Sequence, residues 1–188
     1  MRAIIATLTR PSRRPKRGAS SGNAVAYAFI AEKPEHESAI EAMLDRAFGP
    51  GRLAKTSERV RERGARLEPA LSRVALNQAG EIIGACRIWR VQARVPIYFL
   101  GPLAVDPDAR QAGLGLALAR DALAACRAHG GNGIVLVGAE RFFRPLGFTI
   151  APKDRIRLPG PVDPTRLLWL ELRPGGLDKA AGELSAPR

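Results

Sequence analysis

The chain has 188 residues, a formal net charge of +12, 26% charged residues and 46% hydrophobic residues. This length fits one domain, and the hydrophobic content excludes a wholly disordered chain. No apolar stretch reaches the roughly 18–20 residues that a membrane-spanning helix needs. The two cysteines, Cys86 and Cys126, belong to no Cys-x-x-Cys or Cys/His cluster, which excludes a disulfide scaffold and a zinc site. Such cysteine usage suits a reducing cytosol, so a cytoplasmic protein is expected.

Half of the positive charge lies in residues 1–22, which carry six basic side chains and no acidic one. This segment contains two prolines and a Ser/Gly run without amphipathic periodicity, so it is predicted to be a flexible basic extension. Export is an alternative, because Arg13 and Arg14 precede an apolar run, but that run soon reaches Glu32 and lacks a cleavage site. A transit peptide, an early start codon and a nucleic-acid-binding arm stay open.

The first predicted elements are a strand over residues 24–32 and a helix over residues 35–48. The helix is indicated by apolar side chains that share one face and by carboxylates in the first turn, where the helix dipole favours them. The apolar positions of this face are Ile40, Met43, Leu44 and Phe48. A short polar helix is predicted over residues 57–64. Residues 71–77 and 81–91 alternate around a Gln-Ala-Gly turn, which indicates a β-hairpin.

The next segment, residues 94–105, has almost no polar interruption and is predicted to be a strand buried on both faces. A helix over residues 113–129 follows, with an apolar stripe that includes Cys126, and two glycines end it. Strands at 134–137 and 147–150 flank a helical turn over residues 140–146.

A last strand is predicted over residues 167–172. The domain is therefore placed at residues 24–173, and the Gly- and Ala-rich residues 174–188 are interpreted as a frayed tail. The order of elements predicts the α/β class, with a mixed and mostly antiparallel sheet.

The most informative segment is LGPLAVDPDARQAGLGLAL, residues 100–118, in which a buried strand, a turn and a helix follow one another. Between strand and helix lies Arg110-x-x-Gly113-x-Gly115. Glycines let backbone N–H groups approach a ligand closely, and the helix start adds donors and a partial positive charge. Because Arg110 adds a forked cation, the segment is predicted to cradle a pyrophosphate. A glycine-assisted turn that only packs the helix on the sheet is the alternative.

A second clue is Gly101-Pro102, which interrupts the buried strand, because a proline cannot donate to a β-ladder. A bulge at this point would splay the strand from its neighbour and expose backbone groups of Leu103, Ala104 and Val105. Such an edge accepts an extended ligand that carries amides, as the pantetheine arm of coenzyme A does. A simple kink is the alternative.

Residues 100–118, followed by VLVGAERFFRPLGF over residues 135–148, resemble the GNAT-type N-acetyltransferase superfamily. The first unit is similar to the acetyl-CoA motif of that family, and FFRPLGF is similar to its later Phe-Tyr-x-x-Leu-Gly-Phe element. FGPGRLAKTSERVRE, residues 48–62, is similar to a segment in one uncharacterised bacterial branch of the superfamily. The resemblance extends loosely over residues 24–173 and implies a GNAT-type acyltransferase fold with a splayed central strand pair. It also implies acetyl-CoA as the co-substrate and an amine as the acceptor.

The resemblance assigns the coenzyme-binding positions residue by residue. Pantetheine would pair with the strand residues, and one of their N–H groups would polarise the thioester carbonyl. The pyrophosphate would be held by backbone N–H groups of the loop and the helix start. The implied positions are Leu103, Ala104 and Val105 on the strand, Arg110, Gln111, Ala112, Gly113, Leu114, Gly115 and Leu116 in the loop and helix, and Phe143 against the pantetheine.

Phe143 marks a departure from the family. It occupies the position where the family often has a tyrosine that protonates the leaving thiolate, and it has no hydroxyl, so a water would have to serve. Tyr98 is the candidate base on the central strand, although a packing role is favoured. The catalytic residues are therefore left unassigned.

Other titrating residues are interpreted as structural. His36 is expected at the surface, His129 at a helix end and Cys126 in the core. A short basic stretch could line the acceptor entrance, although a solvated helix face is favoured: Arg52, Lys55, Thr56, Ser57 and Arg59.

The function predicted first is an acetyl-CoA-dependent N-acetyltransferase that acts on a primary amine of a small molecule or a protein. An acyl-CoA-binding protein of the same fold, with little transfer activity, is the second hypothesis. A basic nucleic-acid-associated protein is the third, and it is not favoured because the charge divides between the tail and the domain. No metal and no membrane are expected as partners, and a homodimer stays open.

Overall fold

In the computed structural model, the described residues are 27–49, 51, 56–109 and 113–187. The predicted basic extension, residues 1–22, lies outside them. So do the first residues of the first predicted strand and the loop residues 110–112.

The described residues form a mixed α/β fold in the predicted order of elements. The strands are β1 (Ala28–Ala31), β2 (Arg66–Leu67), β3 (Arg73–Leu76), β4 (Ile82–Ala93), β5 (Val95–Val105), β6 (Gly133–Val137), β7 (Thr149–Ile150), β8 (Ile156–Arg157), β9 (Leu167–Glu171) and β10 (Gly182–Glu183). The helices are α1 (Glu37–Phe48), α2 (Thr56–Glu62), α3 (Leu114–Ala128) and α4 (Glu140–Phe143). The predicted hairpin is confirmed as β3 and β4, and the predicted buried strand as β5.

Eight strands form one sheet in the order β1-β3-β4-β5-β6-β9-β7, with β2 paired to β4 beyond the end of β3. All neighbouring pairs in this sheet are antiparallel except β5 and β6, which are parallel. β8 and β10 form a separate parallel pair. The prediction of a mixed and mostly antiparallel sheet is therefore confirmed.

The sheet is covered on both faces, as the apolar run of β5 requires. Alternate residues of β4, such as Cys86 and Ile88, pack against α3 in the largest core cluster. The intervening residues of the strand point to the other face. There Ala85 packs with α1, and Val91 belongs to the cluster that includes α2. α3 and the pair α1 and α2 consequently lie on opposite faces of the sheet.

The apolar face of α1 is confirmed at three of its four predicted positions. Ile40, Met43 and Leu44 are fully buried, and burying each such side chain stabilises the fold by about 1.5–3 kcal/mol. Phe48 was predicted to share this face but is 40% exposed. It is the last residue of the helix, and the chain turns at Gly49, which has a left-handed φ of 71°.

A buried ion pair fastens β4 to the chain that follows β1. Arg87 and Glu32 are 4% and 6% exposed, and the Arg87 Nη2–Glu32 Oε1 distance is 2.8 Å. A second nitrogen, Nη1, donates to Glu41 Oε1 of α1 at 2.6 Å. Because the charges are paired, their burial is tolerated, and removal of one partner would cost about 3–5 kcal/mol.

The C-terminal segment differs from the expectation of a frayed tail. Leu177, Ala180 and Leu184 are each at most 2% exposed and pack in the cluster beneath β4 and β5. β10 pairs with β8, and Ser185 exchanges backbone hydrogen bonds with Gln92 of β4. A chain rich in glycine and alanine therefore packs closely against the sheet because its few leucines fill the remaining apolar surface.

Residues 27–49, 51, 56–109 and 113–187 form no helix that is long and apolar enough to cross a membrane. Among the same residues, no three His, Cys, Asp or Glu side chains are grouped so as to hold a metal ion.

Candidate active site

The central feature of the site is the separation of β5 from β6. The two strands pair at Tyr98↔Ile134 and Phe99↔Val135, where their ladder ends. β6 goes on to pair with β9 as far as Val137, and β5 continues alongside β4 to its last residue. The parallel neighbours therefore diverge after Phe99, and the predicted splayed pair is confirmed. We call the point where they part the apex.

The divergence coincides with the predicted bulge. In the β4–β5 ladder, Cys86 pairs with Leu103, and Ile88 pairs with Leu100. Two residues of β5, Gly101 and Pro102, therefore lie opposite the single β4 residue between Cys86 and Ile88. One extra residue reverses the alternation of the strand and bends it. The bulge prediction is confirmed, and its position just beyond the apex explains why β5 leaves its neighbour there.

The register decides which backbone groups of β5 face the divergence. Asp106 N donates to Ile83 O at 2.9 Å, so these two residues form a hydrogen-bonded antiparallel pair. Because bonded and non-bonded pairs alternate, the Ala85–Ala104 pair is also bonded. The N–H and C=O groups of Leu103 and Val105 therefore point away from β4, toward the divergence, while those of Ala104 point toward β4.

The start of α3 lies beside the end of β5. Gly113 is the N-cap, with a left-handed φ of 85°, and a Cβ added there would meet nothing within 4 Å. The first helical bond runs from Ala117 N to Gly113 O at 2.9 Å. The N–H groups of Leu114, Gly115 and Leu116 precede that bond and are the donors that a helix start leaves for a ligand. The predicted residues Arg110, Gln111 and Ala112 lie outside the described part of the chain.

Asp106 anchors the turn that leads from β5 into this loop. Its carboxylate is paired with Arg46 of α1, and its Oδ1 accepts the Asp108 N–H at 3.0 Å. The hydrogen bond from Arg46 is the main reason that the pKa of Asp106 is lowered. A turn at Asp106-Pro107-Asp108 was expected, since an Asp side chain that accepts the N–H two residues later is a known turn signal, but the pairing of Asp106 with Arg46 was not predicted.

Two adjacent phenylalanines of α4 have different surroundings. Phe143 is 8% exposed, and its ring centroid lies 5.7 Å from that of Phe148 in the core. Phe142 is 39% exposed, and a Cβ added at Gly115 would lie 3.5 Å from its ring and 3.7 Å from Val105. Phe142 thus lies near the start of α3, as Val105 of β5 does. The predicted contact between Phe143 and pantetheine stays a prediction.

The titrating groups that were interpreted as structural lie in the core or at helix ends. Tyr98 is 6% exposed, and burial raises its pKa. Both cysteines are fully buried, and burial raises the pKa of Cys126 to about 12. His129 caps the end of α3, and His36 Nδ1 accepts the Lys33 N–H at 3.1 Å near the start of α1.

Most of the side chains predicted to line the acceptor entrance lie outside the described part of the chain. This applies to Arg52 and Lys55 and to the side chains of Thr56 and Ser57, whereas Arg59 is exposed. A neighbouring residue that sequence reasoning missed is Trp89 of β4, whose Nε1 donates to Gly101 O at 2.6 Å. No sequence signal shows which carbonyl an indole reaches across a bulge.

Known structures share this fold. The GNAT family N-acetyltransferase YhbS from Escherichia coli, in complex with CoA, has a TM-score of 0.74 and 24% identity over 90% of this chain and 94% of that one. A GNAT family acetyltransferase from Brucella melitensis, in complex with acetyl-CoA, has a TM-score of 0.61 and 23% identity over 87% and 97%. The ribosomal-protein-S18-alanine N-acetyltransferase from Escherichia coli has a TM-score of 0.57 and 20% identity over 78% and 94%. At these identities the likeness shows the fold alone.

The sequence itself identifies the family. No curated protein matches it. The model of the acetyltransferase (GNAT) family matches residues 22–148, about two thirds of the chain, and this range includes β5, the start of α3 and α4. The chain therefore belongs to the acetyltransferase (GNAT) family.

Proposed function

We propose that this protein is an acetyl-CoA-dependent N-acetyltransferase that acts on a primary amine of a small molecule or a protein. The observation that carries the proposal is the divergence of β5 from β6 with the start of α3 at its open end. An extended ligand with amides along its length and an anion at one end matches this pair of features. Two relatives of the same fold were crystallised with CoA or acetyl-CoA.

The pantetheine arm would lie along the edge of β5. The N–H and C=O groups of Leu103 and Val105 face that edge and would exchange hydrogen bonds with its amides, while Ala104, bonded to β4, would contribute only its surface. Donation by one of these N–H groups to the acetyl carbonyl oxygen would stabilise the negative charge that develops there. The acetyl group would then lie near the apex.

The pyrophosphate would lie against the start of α3. Gly113, Leu114, Gly115 and Leu116 offer backbone N–H groups there, and the helix dipole adds a partial positive charge. An open space lies where a side chain of Gly113 would project. Together with Arg110, Gln111 and Ala112 of the same loop, these residues are the proposed anion cradle.

Transfer would proceed by direct attack of a neutral amine nitrogen on the acetyl carbon. The new C–N bond forms as the C–S bond breaks, and the nitrogen loses a proton while the sulfur gains one. Holding both reactants at the apex contributes much of the rate, because the effective molarity of an oriented nucleophile is high. Phe143 has no proton to donate, so a water is proposed to protonate the thiolate.

One observation favours a second candidate function. Because the ring of Phe143 is buried and has no hydroxyl, a protein of this fold that holds acyl-CoA with little transfer is also consistent with the site. The two functions differ in turnover and agree in coenzyme binding.

Calorimetry and a thiol-release assay separate these possibilities. Titration with acetyl-CoA should show saturable heat, and a panel of amines and peptides should raise free-thiol release above hydrolysis, with the acetylated product seen by mass spectrometry. Saturable binding with no acceptor-dependent release would favour the binding protein. No heat and no thermal shift at millimolar acetyl-CoA would reject both.

The remaining proposals concern context. The acetyltransferase domain is proposed to comprise residues 24–173, with the C-terminal segment packed against it. A cytoplasmic location is proposed, because both cysteines are free and buried.

A further inference from the structure

The face from which an acceptor can reach the apex follows from the positions of the helices. α3 lies on one face of the sheet and its start is the proposed pyrophosphate site, so the coenzyme approaches from that face. An acceptor must then approach the apex from the opposite face. On that face Trp89 and Val137 pack beside the apex, together with Val60 of α2.

Trp89 is an aromatic side chain near the apex on the acceptor face. Trp89 pairs across the β4–β5 ladder with Phe99, which is the last residue of β5 that pairs with β6. Its Nε1 donates to Gly101 O of the bulge at 2.6 Å. This hydrogen bond fixes the orientation of the indole. The Nε1 edge of the ring is therefore held against the bulge, just beyond the apex, and the guanidinium of Arg61 lies over a ring face.

A cation already lies on that ring. The guanidinium carbon of Arg61 in α2 is 5.6 Å from the ring centroid of Trp89. Arg61 also forms an ion pair with Glu58, one turn earlier in the helix, and the two side chains are only 13% and 15% exposed. Glu58 Oε2 is shielded from solvent. An aromatic face and a carboxylate thus both contact the guanidinium of Arg61, and groups of these two kinds recognise an alkylammonium ion.

A second arginine–tryptophan pair in the same chain shows what a purely structural contact looks like. Arg155 lies 5.7 Å from the ring of Trp169, almost the same distance. Its nitrogens donate to the carbonyl oxygens of Leu177, Asp178 and Ala180, which belong to the packed C-terminal segment. Arg155 thus donates to neutral carbonyls, whereas Arg61 forms an ion pair with the carboxylate of Glu58.

We propose that Glu58 and Trp89 form the acceptor subsite, that this subsite selects an acceptor with a positive charge in addition to the neutral amine that reacts, and that the guanidinium of Arg61 occupies it until the acceptor binds. The proposal rests on the proposed function for the position of the acetyl group. It gives opposite expectations for the two members of one ion pair. Loss of Glu58 removes the partner of the acceptor cation, whereas loss of Arg61 removes its competitor.

The test follows the fluorescence of Trp89 in a Trp169→Phe background, because the chain has two tryptophans. The probe is propane-1,3-diamine, titrated at constant ionic strength near pH 8 with and without saturating CoA, and propane-1,3-diol is the uncharged control. A saturable response to the diamine alone is expected. Glu58→Gln should weaken diamine binding at least tenfold, and Arg61→Ala should strengthen it about threefold or more. The matched control Arg155→Ala should leave it within twofold.

Three results would overturn the proposal: equal weakening by Glu58→Gln and Arg61→Ala, an equal response to the diol, or no response in both the parent and Arg61→Ala. If Arg61→Ala fails to fold, Arg61→Gln keeps most of the side chain without its charge and should also strengthen binding. Acetyl-CoA affinity, measured by calorimetry, should be the same in all variants. If acetyl-CoA does not bind the parent protein, the proposed function fails, while the diamine titration still decides whether the cation subsite exists.

Discussion

Placing a negative charge at Gly113 is the sharpest perturbation of the proposed coenzyme site. Gly113→Glu would direct a carboxylate into the space beside the first N–H groups of α3, and Gly113→Gln would place a side chain of the same size without charge. A Cβ at this position meets nothing within 4 Å, so the first side-chain atom of either variant fits without a clash. Both pay the same cost for the left-handed φ of 85°, about 1–2 kcal/mol.

The two variants should differ in coenzyme affinity through charge alone. Two like charges about 4 Å apart repel by about 4 kcal/mol at an effective dielectric of about 20. This corresponds to a loss of affinity of roughly a thousandfold for Glu relative to Gln, reduced by salt. Without coenzyme, Gly113→Glu should be the more stable of the two variants, because a carboxylate near a helix start is favourable by about 0.3–1 kcal/mol.

Calorimetry with acetyl-CoA and chemical unfolding without it measure these two quantities. We expect Gly113→Glu to bind far more weakly than Gly113→Gln while it unfolds at the same or a higher denaturant concentration. Equal affinities for acetyl-CoA in the two variants would refute the placement of the pyrophosphate at the start of α3.

Three further predictions concern stability and reactivity. Asp106→Ala should lower the free energy of unfolding by about 1–3 kcal/mol at neutral pH. Because the folded-state pKa of Asp106 is lowered, its contribution is present above the ordinary carboxyl pKa and is lost as the pH falls through the folded-state value, so urea titrations in acid should show a smaller difference. A Cβ at Gly133 would lie 2.2 Å from Leu177, so Gly133→Ala should destabilise the fold by about 1–3 kcal/mol. The double variant Gly133→Ala, Leu177→Ala should lose less stability than the sum of the two single losses. Strict additivity of the two losses would contradict the packing of the C-terminal segment. Cys86 and Cys126 should resist a thiol reagent in the native protein at mildly alkaline pH and react after unfolding, because burial raises the pKa of both thiols; fast native labelling would contradict their burial.

The elements around the site could be predicted from the sequence because their signals are local. The uninterrupted apolar run of β5, the Gly101-Pro102 interruption and the glycines before α3 each reflect a backbone requirement of a few adjacent residues. The bulge and the divergence follow from the same residues.

Features that depend on distant partners could not be predicted in this way. Residues 174–188 have the composition of a tail, and only the apolar surface beneath β4 and β5 makes Leu177 and Leu184 core residues. The phase of α4 decides that Phe143 is buried and Phe142 exposed, and a helix of four residues has too few apolar positions to show its phase. The contact between Arg61 and Trp89 joins two residues that are 28 positions apart in the sequence, and no local pattern marks it.

Amide hydrogen exchange at β5, followed by NMR, tests the central claim most directly, because it reports on the edge where the coenzyme is proposed to bind. The amides of Leu103 and Val105 face the divergence, whereas the amide of Ala104 is bonded to β4. We predict that saturating acetyl-CoA slows exchange at Leu103 and Val105 and leaves the already protected Ala104 amide unchanged. Unaltered exchange at Leu103 and Val105, with acetyl-CoA bound, would contradict the account.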